Sequence, residues 1–523
     1  MPEKPCVKDD ARKELTRRSF LKLMTGLGLT GLAGAALGGL TAPVAGYIPE
    51  SDYGKQQHRK RSRGGHRHGE VVPIAPDNPS IVYYQQFCKH GSCGECVRVC
   101  HEVQAVFGYW DQSVAQEIVC VNCGQCALVC PGKHGIPAIR ERDETAVVFE
   151  ALANPDYHVV VQTAPATRVA LGEEFGLDPG AWVTGQQVAA LRRLGFDAVL
   201  DTNFTADLTI MEETTEFLKR VVKGTYPLPM FTSCSPGWVK FMEYFYPDLI
   251  PHVSTCKSPQ QMFGALAKTY YAEARGLDPE KIFSVSIMPC TAKKFEAQRP
   301  EMNAASRYWG NDLVSRDVDV VLTTRELARM IKFRGIDFTK LPAEDYDSLM
   351  GESTGAALIF GATGGVMEAA LRTAYFFLTG KQPPPALLDF KPVRGLNGIK
   401  EASVEINGVT VNVAVAHGLE NARTVCDIVQ AGNPSGWHFI EFMSCPGGCI
   451  GGGGQPRTAV PPTDTVLQAR IDTLYAKDAV EVWRESYENP EILELYERFL
   501  GEPYSKLAKE LLHTTYKSRG PVL

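Results

Sequence analysis

The residues best equipped for chemistry are cysteines, and their spacing is far from random. Eight of the 15 lie between Cys88 and Cys130. They form two runs, Cys88-x4-Cys93-x2-Cys96-x3-Cys100 and Cys120-x2-Cys123-x2-Cys126-x3-Cys130-Pro131. In runs of this spacing three thiolates grip one [4Fe–4S] cubane and the fourth ligates its neighbour. The first run carries two extra residues in its opening gap. Cross-ligation then assigns Cys88, Cys93, Cys96 and Cys130 to one cluster, and Cys100, Cys120, Cys123 and Cys126 to the other. Zinc also takes paired CxxC ligands, but two consecutive four-cysteine runs with the same closing gap favour iron and sulfide. Disulfides at this density would make poor cross-links. Two cubanes carry electrons singly between a buried site and a partner.

Three further segments concentrate reactive residues in turns rich in Pro and Gly. They are Phe231-Thr232-Ser233-Cys234-Ser235-Pro236-Gly237-Trp238, Ile287-Met288-Pro289-Cys290-Thr291-Ala292-Lys293-Lys294-Phe295-Glu296 and Phe442-Met443-Ser444-Cys445-Pro446-Gly447-Gly448-Cys449. Four glycines and Gln455-Pro456 follow the third after Ile450. Glycine lets the backbone approach a bulky inorganic group. Thiolates from three distant segments can ligate a third cubane, with Lys293 beside it for anionic ligands. Cys256 and Cys426 have no motif around them and read as buried structural thiols. His417 and His438 read as structural histidines.

Positioning such groups requires a rigid scaffold. From Val159 onward strand and helix signals alternate. Strands are expected at Val159–Val161, Asp197–Leu200, Ile282–Ile287, Val318–Leu322 and Val411–Val415. Helices are expected at Gly185–Leu194, Thr205–Lys223, Pro259–Arg275, Thr324–Phe333, Thr465–Glu485 and Pro490–Leu500. The expected architecture is an α/β catalytic domain of two halves over 151–460. An α+β unit of ferredoxin type holding both clusters precedes it over 76–150, and a helical wrap follows over 461–523.

The three segments resemble the signature motifs of [FeFe]-hydrogenases, and the resemblance runs from about residue 76 to the end. It implies an H-cluster: a [4Fe–4S] cubane bridged by cysteine to a diiron centre carrying CO, cyanide and azadithiolate. Carried over residue by residue, Cys290, Cys445 and Cys449 ligate the cubane, with Cys449 as the bridge. Lys293 would hydrogen-bond one cyanide, Ala164 and Pro165 would line the pocket of the other, and Met288, Gln260 and Met443 would pack around the carbonyls. The family has two adjacent cysteines, proton relay then cubane ligand, where this chain has Cys234-Ser235. Strict register makes Cys234 the relay and Ser235 the ligand. The preference of iron–sulfur clusters for thiolate instead puts Cys234 on the metal and Ser235 at the relay. Glu213 and Glu216 lie three apart on one helix face and match the family's proton-path carboxylates, with Ser254 and Arg220 as further stations.

The resemblance implies heterolytic cleavage of H2 into protons and electrons, and dedicated maturation proteins. Alternatives are a non-catalytic relative used in H2 sensing or cluster assembly, and a plain electron-transfer subunit. Thr16-Arg17-Arg18-Ser19-Phe20-Leu21-Lys22, the apolar run from Leu23 to Leu40 and Thr41–Gly46 resemble a twin-arginine signal peptide over 1–46; a membrane anchor is the competing reading. Residues 47–75 read as a basic, His-rich tether. Export would place the enzyme in the periplasm, where uptake of H2 would feed a c-type cytochrome, or otherwise a ferredoxin. The part after about 461 resembles a fused small subunit, consistent with a monomer. A net charge of −6 gives no support to nucleic-acid binding.

Overall fold

The computed structural model describes residues 70–523 apart from 91, 225 and 458–461. The signal expected over 1–46, and residues 47–69 of the tether, lie outside the described residues. The end of the tether does not behave as one. Val72 is buried and Val71 and Ile74 pack with it against Ile81, Cys96 and Ile139. Apolar side chains at 71, 72 and 74 leave water there, so the folded unit begins before residue 76.

In the cysteine-rich unit β1 (Ile81–Tyr83) runs antiparallel to β2 (Ile139–Glu141). Two short helices, Glu95–Arg98 and Gln125–Leu128, each start from a left-handed glycine, Gly94 and Gly124. Glycine adopts that conformation without a Cβ penalty, so each cysteine loop turns sharply into its helix.

Eight strands follow: β3 (His158–Thr163), β4 (Ala198–Asp201), β5 (Met230–Phe231), β6 (Ile282–Met288), β7 (Val320–Thr323), β8 (Ile399–Ile406), β9 (Val409–His417) and β10 (Phe439–Met443). They form the two halves expected. One sheet, ordered β4-β3-β6-β7, is wholly parallel. The other, β5-β10-β9-β8, is parallel except for the β8–β9 hairpin. Helices cover the parallel strands on both faces, which is why they read as continuous apolar runs such as Val159–Val161. The hairpin turns at Asn407-Gly408, both with positive φ (53° and 78°), as a two-residue turn requires. Parallel strands deliver their following loops to one edge, where ligand sites form. β5 leads to Cys234, β6 to Cys290, β10 to Cys445, and β3 to Ala164-Pro165.

The C-terminal region opens with the helix Asp464–Asp478, shorter than the Thr465–Glu485 expected. Arg372 and Arg484 both grip the Asp478 carboxylate, Arg372 at 2.8 and 2.9 Å and Arg484 at 2.6 Å, and the chain turns away there. Leu467, Ile471 and Leu474 cover Ala166, Val169, Ala362 and Ile450. The chain then crosses the catalytic unit, with Lys257 N–H bonded to Leu512 O, and reaches the cysteine-rich unit, with Asp111 N–H bonded to Val522 O, both at 2.8 Å.

One buried clasp fixes this segment. Arg470 donates to both oxygens of Glu173 at 2.7 and 2.6 Å and to Ile450 O at 2.6 Å. Removing one partner of a buried pair strands the other charge, at a cost of about 3–5 kcal/mol. Arg470→Met is expected to lower stability by that order in urea unfolding, and to expose the C-terminal helices to limited proteolysis before the sheets.

Candidate metal centre

The eight cysteines of the first unit fall into two cavities. Cys88, Cys93, Cys96 and Cys130 line one; Cys100, Cys120, Cys123 and Cys126 line the other. Each cavity gathers the four cysteines that their spacing groups together. Every cysteine in the described residues is free of disulfides. Backbone N–H groups point at several sulfurs: Ala138 at Cys130 (3.2 Å), His90 at Cys88 (3.4 Å) and Asn122 at Cys120 (3.4 Å). Such donors stabilise anionic thiolates and tune cluster potentials. Burial raises the Cys100 thiol to about 12 and pushes Cys123 and Cys126 well up. Clustered buried thiols of this kind are costly to ionise alone, whereas a metal deprotonates its thiol ligands.

Lys240 stands beside the second set. Its ammonium donates to Asn122 Oδ1 at 2.6 Å, and burial lowers it to about 8, against the opposing pull of Cys120 and nearby carboxylates. A cation there favours the reduced cluster. Lys240→Met is expected to lower that cluster's midpoint potential by on the order of tens of millivolts, checked by EPR-monitored redox titration.

The loop of Cys120–Cys126 docks directly on the second and third motifs. Thr291 Oγ1 donates to Asn122 O at 2.7 Å and Gln125 Nε2 to Gly451 O at 2.9 Å. A Cβ on Gly453 would lie 2.2 Å from Cys123 O, and one on Gly124 2.3 Å from Thr291 Oγ1. The glycine run is therefore a contact surface between the two iron-binding regions.

Cys290, Cys445 and Cys449 converge from β6 and β10. Burial raises all three thiols, Cys449 to about 12, and the Cys290 charge adds to the rise at both Cys445 and Cys449. Lys293 donates to Cys234 O at 3.0 Å and to Glu296 Oε2 at 2.9 Å. Ser258 Oγ and Gln260 Nε2 also bond that carboxylate, at 2.9 and 3.2 Å. Ala164 and Met288 share a buried cluster, Pro165 follows Ala164, and Met443 belongs to the core against which Cys234 and Cys449 pack. Gln260 Oε1 is buried with no hydrogen-bond partner among the described residues, a polar atom suited to a bound group. Free buried thiols, an adjacent cation and glycine-lined backbone fit an iron–sulfur cofactor with anionic ligands.

Cys234 and Ser235 have different surroundings. Burial pushes the Cys234 thiol well up, and the charges of Glu213 and then Cys449 add to that against Lys293. Ser235 Oγ instead lies 2.8 Å from Ser444 Oγ and accepts from Ser444 N–H at 3.1 Å, next to Cys445. The Cys234 thiol thus feels the charges of Glu213 and of Cys449, whereas the Ser235 hydroxyl is held by Ser444.

Glu213, Glu216 and Ser254 are buried. Burial raises Glu213 to about 8, assisted by the Glu216 charge and opposed by a Ser254 hydrogen bond. Ser254 Oγ donates to Glu216 Oε2 at 3.2 Å, and Arg220 Nε to Glu216 Oε1 at 3.0 Å. Sequence reasoning missed Lys240, Gln125, Ser444, Thr255, His513 and Glu441. Glu441 accepts from Gly364 and Met367 N–H at 2.6 and 2.8 Å; nothing but its place two residues before Met443 marks it. His417 is structural as expected, accepting from Gly447 N–H at 3.1 Å. Cys256 and Cys426 are fully buried.

Residues 157–453 match the family of the iron only hydrogenase large subunit, C-terminal domain, and residues 464–519 the iron hydrogenase small subunit. The chain belongs to the [FeFe]-hydrogenase family, and membership implies an H-cluster and accessory iron–sulfur clusters as its cofactors. It is 50% identical over 446 residues to the NADP-reducing hydrogenase subunit HndD of Solidesulfovibrio fructosivorans, covering 82% of this chain and 73% of that protein. Identity is 52% over 389 residues to the periplasmic [Fe] hydrogenase large subunit of Nitratidesulfovibrio vulgaris, covering 69% and 89%. A solved structure of [FeFe]-hydrogenase HydA1 from Chlamydomonas reinhardtii superposes with a TM-score of 0.63 at 44% identity, covering 72% of this chain and all of that one. More distant is the cytosolic iron-sulfur assembly component 3 of Bos taurus, 31% identical over 408 residues, covering 76% and 81%. The identities near 50% support hydrogenase activity, an oxidoreductase acting on H2.

Proposed function

We propose that this hydrogenase works chiefly in H2 uptake and sends electrons out through two [4Fe–4S] clusters. The observation that carries the electron route is the contact of the Cys120–Cys126 loop with Thr291 and Gly451–Gly453. It supports a series of three thiolate groups: Cys290, Cys445 and Cys449; then Cys100, Cys120, Cys123 and Cys126; then Cys88, Cys93, Cys96 and Cys130. Cys93, in the last group, is exposed and marks the exit towards an external carrier.

When bound, the H-cluster supplies an open Lewis-acidic iron site with an amine base beside it, suited to heterolytic cleavage of H2. Cys290, Cys445 and Cys449 would hold it, with Ser235 on the cubane side. Lys293, braced by Glu296, offers its ammonium to an anionic ligand, and Ala164, Pro165, Gln260, Met288 and Met443 wall off water. Cys234 passes the proton to Glu213, which, protonated near neutral pH, hands it through Ser254 to Glu216.

Export by the twin-arginine route, suggested by Thr16–Lys22, and the name of the Nitratidesulfovibrio relative together support a periplasmic site. A c-type cytochrome or a ferredoxin would then take the electrons, maturation proteins would install the cofactor, and the fused small-subunit region suits a monomer. Among the described residues no helix is long and apolar enough to cross a membrane. The resemblance to assembly component 3 keeps a second reading, cluster assembly without catalysis. Infrared spectra of matured protein decide between them: metal-bound CO and cyanide bands with H2-dependent dye reduction are expected. Their absence, with only two ferredoxin-type EPR signals, would leave the assembly reading.

A further inference from the structure

The carboxylate path just proposed stops short of water. Glu213, Ser254 and Glu216 are at most 1% exposed. Arg220, the next station by resemblance, has no proton to exchange. Nε and Nη2 bond Glu216, Nη1 bonds Pro251 O and His252 O, and Nη2 also bonds Val253 O. All five N–H groups are taken, and a guanidinium does not deprotonate in proteins.

A different set of groups leads outward. Thr255 Oγ1 lies 2.9 Å from Glu216 Oε2 and 2.7 Å from His513 Nδ1. His513 Nε2 lies 3.1 Å from Glu212 Oε2. The histidine side chain is 7% exposed, and Thr255 is also partly exposed. His513 arrives from the C-terminal segment and is anchored by its bridge to Cys256.

We propose that His513 is the terminal proton station of this hydrogenase, reached from Glu216 through the Thr255 hydroxyl. The inference rests on the Glu213–Glu216 reading above. The step balances. With Glu216 protonated, its O–H donates to Thr255 and the Thr255 O–H donates to Nδ1 of neutral His513. Both protons shift one place. Glu216 becomes a carboxylate accepting from Thr255, and His513 becomes an imidazolium donating through Nδ1 to Thr255 and through Nε2 to Glu212. No polar group on the route loses its partner in either state, and an imidazole can take a proton at one ring nitrogen while the other holds its own partner. The charged and titratable groups around the ring are Glu212, Glu216, Lys219 and Arg220 from the helix Thr202–Lys223, Cys256 from the facing segment, and Tyr496, Tyr504 and Lys509 from the C-terminal region. Tyr504 meets the ring edge-on at 5.0 Å, and Tyr496 bonds Glu212 at 2.6 Å.

The test uses the matured full chain with His513→Ala, Thr255→Val, Thr255→Ser and Glu213→Gln. Because water can partly replace a station near the surface, His513→Ala and Thr255→Val are expected to slow turnover roughly tenfold, below the roughly hundredfold at which losses of a positioned acid or base typically begin. CO and cyanide bands should be unchanged. Free imidazole should restore His513→Ala, and Thr255→Ser should work as wild type. In H2-triggered infrared difference spectra the Glu213 carboxyl band should decay more slowly in both slow variants. Unchanged rates in His513→Ala and Thr255→Val, with Glu213→Gln inactive, would overturn the exit alone. Unchanged rates in all of them would overturn the carboxylate path itself. A loss that imidazole does not relieve, with no change in the carboxyl band, would reduce His513 to a structural role and overturn the proposal.

Discussion

Glu213→Gln is expected to abolish turnover in both directions, by about 10²–10⁴-fold, while CO and cyanide bands and iron content stay as in wild type. The amide keeps the shape and a donor but cannot accept and release a proton. Glu213 suits the role because burial, assisted by Glu216, lifts it to about 8, so it stays protonated near neutral pH. Its Oε1 is buried without a hydrogen-bond partner among the described residues, on the residue whose charge most affects the Cys234 thiol after burial. The same shift makes a stability prediction. The folded state holds this proton more tightly than the unfolded chain, whose carboxyl ionises near 4.5. The contribution is therefore present in full below that value and is lost as pH rises through about 8. Glu213→Gln should flatten the alkaline decline in stability, read by denaturant unfolding of the unmatured chain across that interval. Wild-type turnover in the variant would remove Glu213 from the path.

Much of the scaffold could be read from the sequence because parallel strands and long helices write strong local patterns. Val159–Val161 lies inside β3 and Ile282–Ile287 inside β6, since strands buried on both faces are unbroken apolar runs. The helix Thr324–Phe333 matches residue for residue because Thr323 and Glu326 form a reciprocal cap at its start. β8 escaped. Its Glu401, Ser403 and Glu405 alternate with Ala402, Val404 and Ile406, and Asn407-Gly408 is the signal that could find the hairpin. The helix after Asp464 was read too long because Arg372, more than ninety residues upstream, captures Asp478. No local pattern carries that.

The site divides the same way. Cysteine spacing alone sorted eight residues into two sets, because short loops leave few ways to grip a cubane. Groups that act across the fold left no such trace. Lys240, Thr255 and His513 matter through neighbours 118, 39 and 258 residues away in sequence, and only the folded chain brings those neighbours together.

Adjacent Cys234 and Ser235 pose the sharpest separation of roles. Successive side chains in extended backbone point to opposite sides, and Ser235 is extended (φ −97°, ψ 99°) where it caps the helix Pro236–Phe245. The two side chains therefore diverge: the hydroxyl meets Ser444, one residue from Cys445, and the thiol, on the other side, feels the charge of Glu213. Cys234→Ala is expected to slow turnover by about 10²–10⁴-fold and to retain the third cubane's iron and EPR signal. Ser235→Cys should leave proton transfer intact. By putting sulfur where oxygen now stands beside Cys445, it should shift the cubane's midpoint potential and change its EPR signal. The opposite pattern is equally definite. If Cys234→Ala loses the third cubane and Ser235→Ala alone blocks proton transfer, then the preference of iron for sulfur has outweighed the register of the chain, and the two residues exchange roles.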